Sequence, residues 1–381
     1  MTKKEFDVII VGAGPAGCAC ALRLKDANLR VALIDKKEFP RDKVCGDAIP
    51  GRAVKTLQSI SPAFAGEFKK FKKKLNCSTT KFFYKNQSLD FTWVEPAYTC
   101  ARIDFDNFLV DLVNVNTKTK VFTNIKITAI KIENNLVTLS ESTDSFNFSS
   151  KIVMGADGAQ SVLAKSLANR KVDRDHYVGS VRAYYSNIEN TITNTLEVYY
   201  DKKLLSSYFW IFPLPDNKAN VGFGMLSSTI SKNKVDINKA FYDFIKENPT
   251  LSLRFSNATQ TSKLEGFGLP LGSKKVPWSG DNFLLAGDAA SLIDPFSGEG
   301  IGNAMLSGKL AADQIIKSFQ EDDFTATQLL NYEMSLQKAI GKELKFRYNL
   351  QKIIAKIPWL VDVIFAITKS AWIKRFIQKQ L

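Results

Sequence analysis

The sequence has one histidine, His176, in 381 residues. It sits in the charged run Lys171-Val172-Asp173-Arg174-Asp175-His176 and reads as a surface residue, which leaves serine-histidine hydrolysis without a base elsewhere in the chain. There are five cysteines, Cys18, Cys20, Cys45, Cys77 and Cys100, with no metal-ligand spacing and no even framework. No metal is therefore expected, and a reducing cytoplasm fits this usage best. No run reaches the ~18 to 20 uncharged apolar residues that a spanning helix needs. Met1 to Phe6 leads directly into a strand, leaving no room for a signal-peptide apolar region. Internal repeats and low-complexity tracts are missing as well. What remains is a soluble chain or one resting on a membrane surface. Hydrophobic residues at 45% and charged residues at 24% exclude disorder, and the length suffices for two domains with real cores. The formal charge of +14 draws a surface toward anionic lipid or nucleic acid. It is spread along the chain rather than clustered, so nucleic acid is not expected and an anionic membrane surface stays open as a partner.

Against this background, three glycine-rich segments stand out. Asp7 to Val11 predicts a strand, followed by Gly12-Ala13-Gly14-Pro15-Ala16-Gly17, a helix from about Ala16 to Ala27, and a second strand Arg30 to Ile34 ending at Asp35 and Lys36. In such a βαβ opening Gly12 permits the tight turn, Gly14 lets the backbone approach a pyrophosphate, and Gly17 lets helix and strand pack closely. The helix N-terminus supplies amide donors, and Asp35 is placed to accept hydrogen bonds from ribose hydroxyls. Further on, Lys151 to Met154 delivers Asp157 in Gly155-Ala156-Asp157-Gly158, and Phe283 to Ala286 delivers Gly287-Asp288. Each aspartate alone is as good a turn former as a ligand. The third segment leads into Pro295-Phe296-Ser297-Gly298-Glu299-Gly300-Ile301-Gly302 and a helix from about Asn303 to Lys317. A helix N-terminus there would stabilise negative charge at flavin N1 and O2 without a titrating side chain. The order of the three segments points to FAD rather than NAD.

These segments, with Ala101-Arg102-Ile103-Asp104-Phe105-Asp106, resemble the FAD-dependent oxidoreductases of the para-hydroxybenzoate hydroxylase-like superfamily, in which an arginine at the position of Arg102 lies near the flavin. Within it the chain is similar to the geranylgeranyl reductase family. Pro40-Arg41-Asp42-Lys43-Val44-Cys45-Gly46-Asp47 looks like that family's cysteine-glycine motif beside the flavin, and Ser207-Tyr208-Phe209-Trp210-Ile211-Phe212-Pro213 looks like its substrate strand. The resemblance implies an α/β fold: a Rossmann-like FAD-binding domain, an inserted antiparallel-sheet substrate domain and a helical C-terminus. It also implies a cavity for an apolar, isoprenoid substrate whose carbon-carbon double bonds are reduced. The expected boundaries are 1–75, 98–175 and 272–325 for the discontinuous FAD-binding domain, 76–97 and 176–271 for the substrate domain, and 326–381 for the C-terminal helices. Arg41, Cys45, Gly46 and Arg102 join the cofactor set on this basis, with Cys45, Tyr208 and Trp210 as catalytic candidates and Tyr208, Trp210 and Phe212 as substrate contacts.

Read from the residues, Tyr208, Trp210 and Phe212 share one face of a strand, with Phe209 and Ile211 on the other, so the strand is either plain core or an aromatic wall. An aromatic wall suits alkene reduction, because protonation builds cationic character that aromatic faces stabilise by about 0.5 to 2 kcal/mol. Cys45 lies in an electropositive loop and is either a proton donor near the flavin or a small buried thiol. Cys18 and Cys20 are packing residues. Lys352 to Leu381 mixes Ile353, Ile357, Trp359, Val363, Trp372 and Phe376 with Lys352, Lys356, Lys369 and Lys374, which fits either a helix in a lipid interface or packing on the flavin domain. No second nucleotide-binding unit is evident, so NAD(P)H or another external electron donor would dock transiently. An FAD monooxygenase and a flavin-binding lipid carrier without catalysis remain the alternatives, and a halogenase fits the Tyr208 to Pro213 strand only in part.

Overall fold

The computed structural model describes residues 2–85, 87–143, 146–200, 207–357 and 359–368. Its first layer is a six-stranded sheet in the order Ser279–Gly280, Phe283–Leu285, Ile152–Gly155, Val8–Val11, Val31–Ile34, Lys120–Phe122. All pairs are parallel except the one at the Ser279–Gly280 edge. The strands Val8–Val11, Val31–Ile34 and Ile152–Gly155 are buried at every position, as expected of parallel strands covered on both faces. Gly155 stands opposite both Val11 and Leu285, so the three strands end level and bring three remote turns to one edge. The helix Pro15–Arg23 stops short of the expected Ala27, with Leu24 as its cap. The long helix Ile301–Glu321 lies against it so closely that a Cβ on Gly308 would come within 2.1 Å of the Ala16 carbonyl oxygen.

One continuous strand was expected over Val121 to Ile132. The chain instead turns at Asn124, in the left-handed region with φ 59°, and forms Lys120–Phe122 in the main sheet and Ile127–Glu133 in a separate four-stranded sheet. An asparagine tolerates that conformation where a β-branched residue would not.

The second large sheet has nine strands. Its hairpin, Leu75–Tyr84 with Gln87–Thr99, is longer than the expected one and runs beside Thr195–Tyr200, Ser207–Leu214, Lys218–Leu226 and Tyr177–Ser186. The sheet is antiparallel except where Thr195–Tyr200 runs parallel to Leu75–Tyr84. One face packs Phe209, Ile211 and Phe223 against Phe241 of the helix Ile237–Glu247. The other face looks toward the first sheet. The fold is thus α/β with a Rossmann-type dinucleotide layer, a mixed substrate-side sheet and a helical C-terminus. The helix Trp359–Ile367 packs Val361 and Phe365 on Tyr84, Leu89 and Phe91 of the hairpin, and so on the second sheet rather than on the dinucleotide layer. Lys369, Trp372 and Phe376 lie outside the described residues. No helix among the described residues is long and apolar enough to cross a membrane.

Candidate active site

The level strand ends open into a cavity of about 1070 Å³, above the roughly 300–1,000 Å³ of ordinary ligand pockets. Gly12, Gly14, Pro15, Ala16, Asp35, Lys36, Arg41, Cys45, Gly46, Arg102, Asp157, Gly158, Gly287, Asp288, Gly298, Gly300, Ile301, Tyr208, Trp210 and Phe212 all line it. Gly17, Pro295 and Gly302 stand behind that lining. For Gly17 this matches a packing role, since a Cβ there would meet the Gly12 carbonyl oxygen at 1.9 Å.

The crevice fits a dinucleotide on three observations. Gly12 has φ +105°, and a Cβ on it would come within 2.2 Å of the Ala156 carbonyl oxygen, so the turn closes only with glycine. A Cβ on Gly14 would meet only the Arg41 guanidinium at 3.9 Å, and one on Gly158 would meet nothing within 4 Å, so bare backbone faces open space where an anion needs amides. Finally, Asp157 divides its work. Its Oδ2 accepts from the Val162 amide at 2.7 Å, capping the helix Val162–Leu167, while its buried Oδ1 has no hydrogen-bond partner among the described residues. Burial raises its pKa, and an unpaired buried carboxylate oxygen at a cavity wall suits a ligand hydroxyl.

Asp35 ends its strand as expected, with its oxygens on the amides of Ala13 at 2.8 Å and Lys37 at 2.9 Å. A carboxylate has about four acceptor sites, so this leaves capacity for a ribose. Lys43 pairs with Asp288 at 2.9 Å. Arg102 forms a two-pronged bond to Asp106, 2.7 Å on each side, and Arg41 reaches the same carboxylate at 2.9 Å. Burial alone would lower the pKa of Arg102, but Asp106 reverses that and holds it fully charged. The helix Ile301–Glu321 begins two residues before the expected Asn303, which puts its first turn at the cavity wall. Gly298 was expected to keep side chains off the cofactor. Its nearer constraint is Tyr208, whose hydroxyl would sit 2.3 Å from an added Cβ.

The cysteine-glycine loop and the aromatic strand are locked together by Asn220, a fully buried residue on the strand Lys218–Leu226. Its amide nitrogen donates to the Cys45 carbonyl oxygen and to Asp47 Oδ2, both at 2.7 Å, and its Oδ1 accepts from the Trp210 indole at 2.8 Å. Asp47 is buried with φ 63° and also accepts from the Tyr184 hydroxyl at 2.9 Å; burial pushes its carboxyl up to about 6. Gly46 fits beneath the rings, since a Cβ there would meet Phe212 at 3.3 Å.

The aromatic strand is buried on both sides, and Tyr208, Trp210 and Phe212 form one stripe with ring centroids 5.7 and 6.2 Å apart. Phe82, Trp93, Leu196, Val198, Tyr200, Phe267 and Leu269 extend this apolar wall. Sequence reasoning placed the strands of Phe82, Trp93, Leu196, Val198 and Tyr200 but not the strand Glu265–Pro270 that carries Phe267 and Leu269, and saw none of them as lining, although Leu196, Val198 and Tyr200 follow the two-residue alternation that assigns them one face. Asp47, Arg182 and Asn220 were also missed, because a polar residue within a strand or loop carries no local sign of its partner; Asp106, four residues after Arg102 on the helix Arg102–Asn116, carried such a sign and was missed all the same. His176 is half-buried and hydrogen-bonds Ser273 at 2.7 Å, away from the cavity lining.

The family model for pyridine nucleotide-disulphide oxidoreductases matches residues 6–190. The chain is 26% identical to a digeranylgeranylglycerophospholipid reductase of Methanocella arvoryzae, over 93% of this chain and 88% of that one. It is 29% identical to a menaquinone reductase of Mycobacterium tuberculosis, over 81% and 76%. A geranylgeranyl bacteriochlorophyll reductase-like protein from Thermoplasma acidophilum shares the fold, with a TM-score of 0.80 and 20% identity over 92% of this chain and 88% of that one. Glycine turns, level strand ends and an orphaned carboxylate oxygen meet in one crevice, and a solved structure shares the fold over 92% of this chain: the chain is an FAD-dependent oxidoreductase, similar to geranylgeranyl reductases.

Proposed function

We propose that the protein saturates carbon-carbon double bonds of an isoprenoid lipid. The observation that carries this reading is the continuity of one cavity from the anion-binding turns to the apolar stripe Tyr208, Trp210, Phe212 and Tyr200. Bound and reduced by NAD(P)H or another external two-electron donor, FAD supplies the hydride. Gly14, the first turn of the helix Pro15–Arg23, Asp35, Asp157 and Asp288 hold the cofactor, and the helix Ile301–Glu321 turns its positive end toward it. Arg102 and Arg41, fixed by Asp106, set the loop that carries Cys45. The aromatic stripe orients the chain of the substrate, excludes water, and stabilises positive charge building on carbon. Relatives named as reductases of digeranylgeranylglycerophospholipid and of menaquinone point to the same substrate chemistry. The test is anaerobic incubation of the flavin-loaded protein with reductant and a geranylgeranyl lipid, read by mass spectrometry. Two hydrogens gained per double bond support the reading. A hydroxylated product formed only with oxygen would replace it with a monooxygenase.

The same reading extends to a membrane surface. Phe346 and Ile353 stand seven residues apart on the helix Lys342–Lys356, 56% and 47% exposed, and are followed by its cap residue Ile357 at 36% and by Trp359 at 61%. The exposed Lys345, Lys352 and Lys356 each stand one position before them, an arrangement that suits apolar insertion between anionic headgroups. Co-sedimentation with vesicles containing phosphatidylglycerol, lost on Phe346→Ser with Trp359→Ser, tests this. Equal binding by the variant refutes it.

A further inference from the structure

The cavity has a polar end that the hydride-transfer reading leaves unused. Beside the first turn of the helix Ile301–Glu321 it is lined by Glu299, by Arg52 and Lys55 of the helix Gly51–Ile60, and by Glu343 and Arg347 of the helix Lys342–Lys356. An ion-pair chain frames it. Arg52 bonds Glu343 at 2.6 Å, Arg347 bonds the other oxygen of Glu343 at 2.8 Å, and Arg347 also bonds Asp294 at 2.8 Å. Asp294 in turn accepts the amides of Phe296 and Ser297, at 2.8 and 2.9 Å, and so fixes the turn that presents Glu299. Glu343 thus ties Arg52 to Arg347, and Arg347 is tied in turn to Asp294. Glu299 Oε1 accepts the Gly302 amide. Its neighbour Gly298 seats the Tyr208 hydroxyl, which donates to the Ser297 carbonyl oxygen at 3.3 Å, so Glu299 lies at the seam between the polar end and the aromatic stripe. Glu299 and Arg52 are half-buried, Arg52 with 32% of its side chain exposed, and Lys55 on the same helix as Arg52 is exposed.

We propose that Glu299 is the acid that supplies the proton for double-bond saturation, and that the polar end lined by Arg52, Lys55, Glu343 and Arg347 is the inlet through which solvent recharges it. This rests on the reading of the protein as an alkene reductase. Saturation consumes one hydride and one proton per double bond. The π bond breaks, one carbon takes the hydride with its electron pair from the two-electron reductant, and the neighbouring carbon takes the proton as the Glu299 O–H bond breaks. The carboxylate left behind regains a proton from water at the inlet. A greasy stripe has no such path, so a separate polar entrance is a chemical requirement of the site.

The electrostatics agree with the geometry. Burial, assisted by the like charge of Asp294, pushes Glu299 up to about 7, against the opposing pull of the Gly302 amide, Arg52 and Arg347. A general acid works best with a pKa near the operating pH. Tyr208 also bears a proton at the seam, and burial pushes its phenol above its ordinary value, which makes it the weaker acid. Because the raised carboxyl must be protonated to act, saturation falls as pH rises through about 7.

The test is Glu299→Gln, which keeps an oxygen for the Gly302 amide but has no proton to give. FAD affinity, read by flavin fluorescence, and reduction of the bound flavin by the external donor should match wild type. Single-turnover saturation of a geranylgeranyl lipid should slow by about 100-fold, at the low end of general-acid contributions, and lose its alkaline limb. Difference infrared spectra of the flavin-loaded protein, recorded without substrate, should show a carboxyl band that titrates near neutrality in wild type and is absent in the variant. Unchanged saturation kinetics and pH profile in Glu299→Gln overturn the proposal. A wild type that reduces no isoprenoid lipid removes the functional reading, and the proton role with it. A wild type that does so alongside an equally fast variant removes only the proton role.

Discussion

Replacing Asn220 with leucine tests whether the cysteine-glycine loop and the aromatic strand form one mechanical unit. The two side chains have the same number of heavy atoms and the same branching, so the change removes hydrogen bonds without opening a void. Three bonds are lost, to the Trp210 indole at 2.8 Å and to the Cys45 carbonyl and the Asp47 carboxyl at 2.7 Å. The indole N–H is then left without its partner at a buried site, at about 1–3 kcal/mol, and the part-buried Cys45 carbonyl loses its bond at the low end of that range. Asp47 keeps the Tyr184 hydroxyl at 2.9 Å and the Arg102 amide at 3.2 Å. Its carboxyl already sits at about 6, so loss of the Asn220 bond drives it to the neutral form and limits the charged-group cost. The leucine offsets part of the remainder through apolar contact, leaving an expected loss of ~3 kcal/mol in unfolding free energy. Urea unfolding of the flavin-free protein, followed by circular dichroism, measures it, because bound ligand would add its own stabilisation. The midpoint should fall with the slope unchanged. A double-mutant cycle with Trp210→Phe should return a coupling of about 0.5–3 kcal/mol. A single-variant loss below ~0.5 kcal/mol, within the range of ordinary surface substitutions, with no coupling, would refute the argument.

Three further outcomes follow from the same geometry. Asp47 has its carboxyl raised from 3.8 to about 6, so the folded state holds that proton more tightly than the unfolded chain. Its contribution is therefore most favourable at low pH, declines as pH rises from about 4 to about 6, and is flat above. The unfolding free energy of wild type minus that of Asp47→Asn should fall by ~2–3 kcal/mol across that window, and a difference independent of pH would contradict it. Gly222→Ala should push the Trp210 ring into the cavity, since the new Cβ would stand 2.0 Å from Cζ2, raising KM for lipid with FAD affinity unchanged; equal KM values would show that the ring escapes elsewhere. Cys45→Ser should slow substrate turnover after flavin reduction in rapid-mixing measurements, and unchanged turnover would make Cys45 a packing residue.

How much of this was readable in the chain depends on how locally each feature is encoded. The three glycine segments were legible because each is a strand followed at once by its turn. Their convergence needs only parallel strands in matched register, here Val11, Gly155 and Leu285 side by side. The break at Asn124 was not, because an asparagine within a β-branched run does not announce a left-handed turn. The Trp210, Asn220 and Asp47 lock was invisible for a different reason. Asn220 and Asp47 are 173 residues apart, and a buried asparagine in a strand looks the same whether it faces a partner or water. Glu299 was visible as a letter inside a glycine motif, but its position as the carboxyl at the cavity seam depends on Asp294 and two arginines from separate helices.

The placement of charge resolves a conflict inherent in the site. Dinucleotide phosphates require exposed amides and cations, whereas a hydrocarbon chain gains from a wall stripped of both. The chain assigns these demands to different sheets: the amides stand at the strand ends of the first, and the rings lie on the inner face of the second. The loop from Arg41 to Asp47 is where the two must meet without mixing. Its arginine is spent on Asp106, its lysine on Asp288, and its aspartates on Arg182 and on Asn220 with Tyr184. Val44, Cys45 and Gly46 are left uncharged at the cavity wall, with Gly46 beneath the rings, so that this part of the loop brings no charge to an apolar substrate.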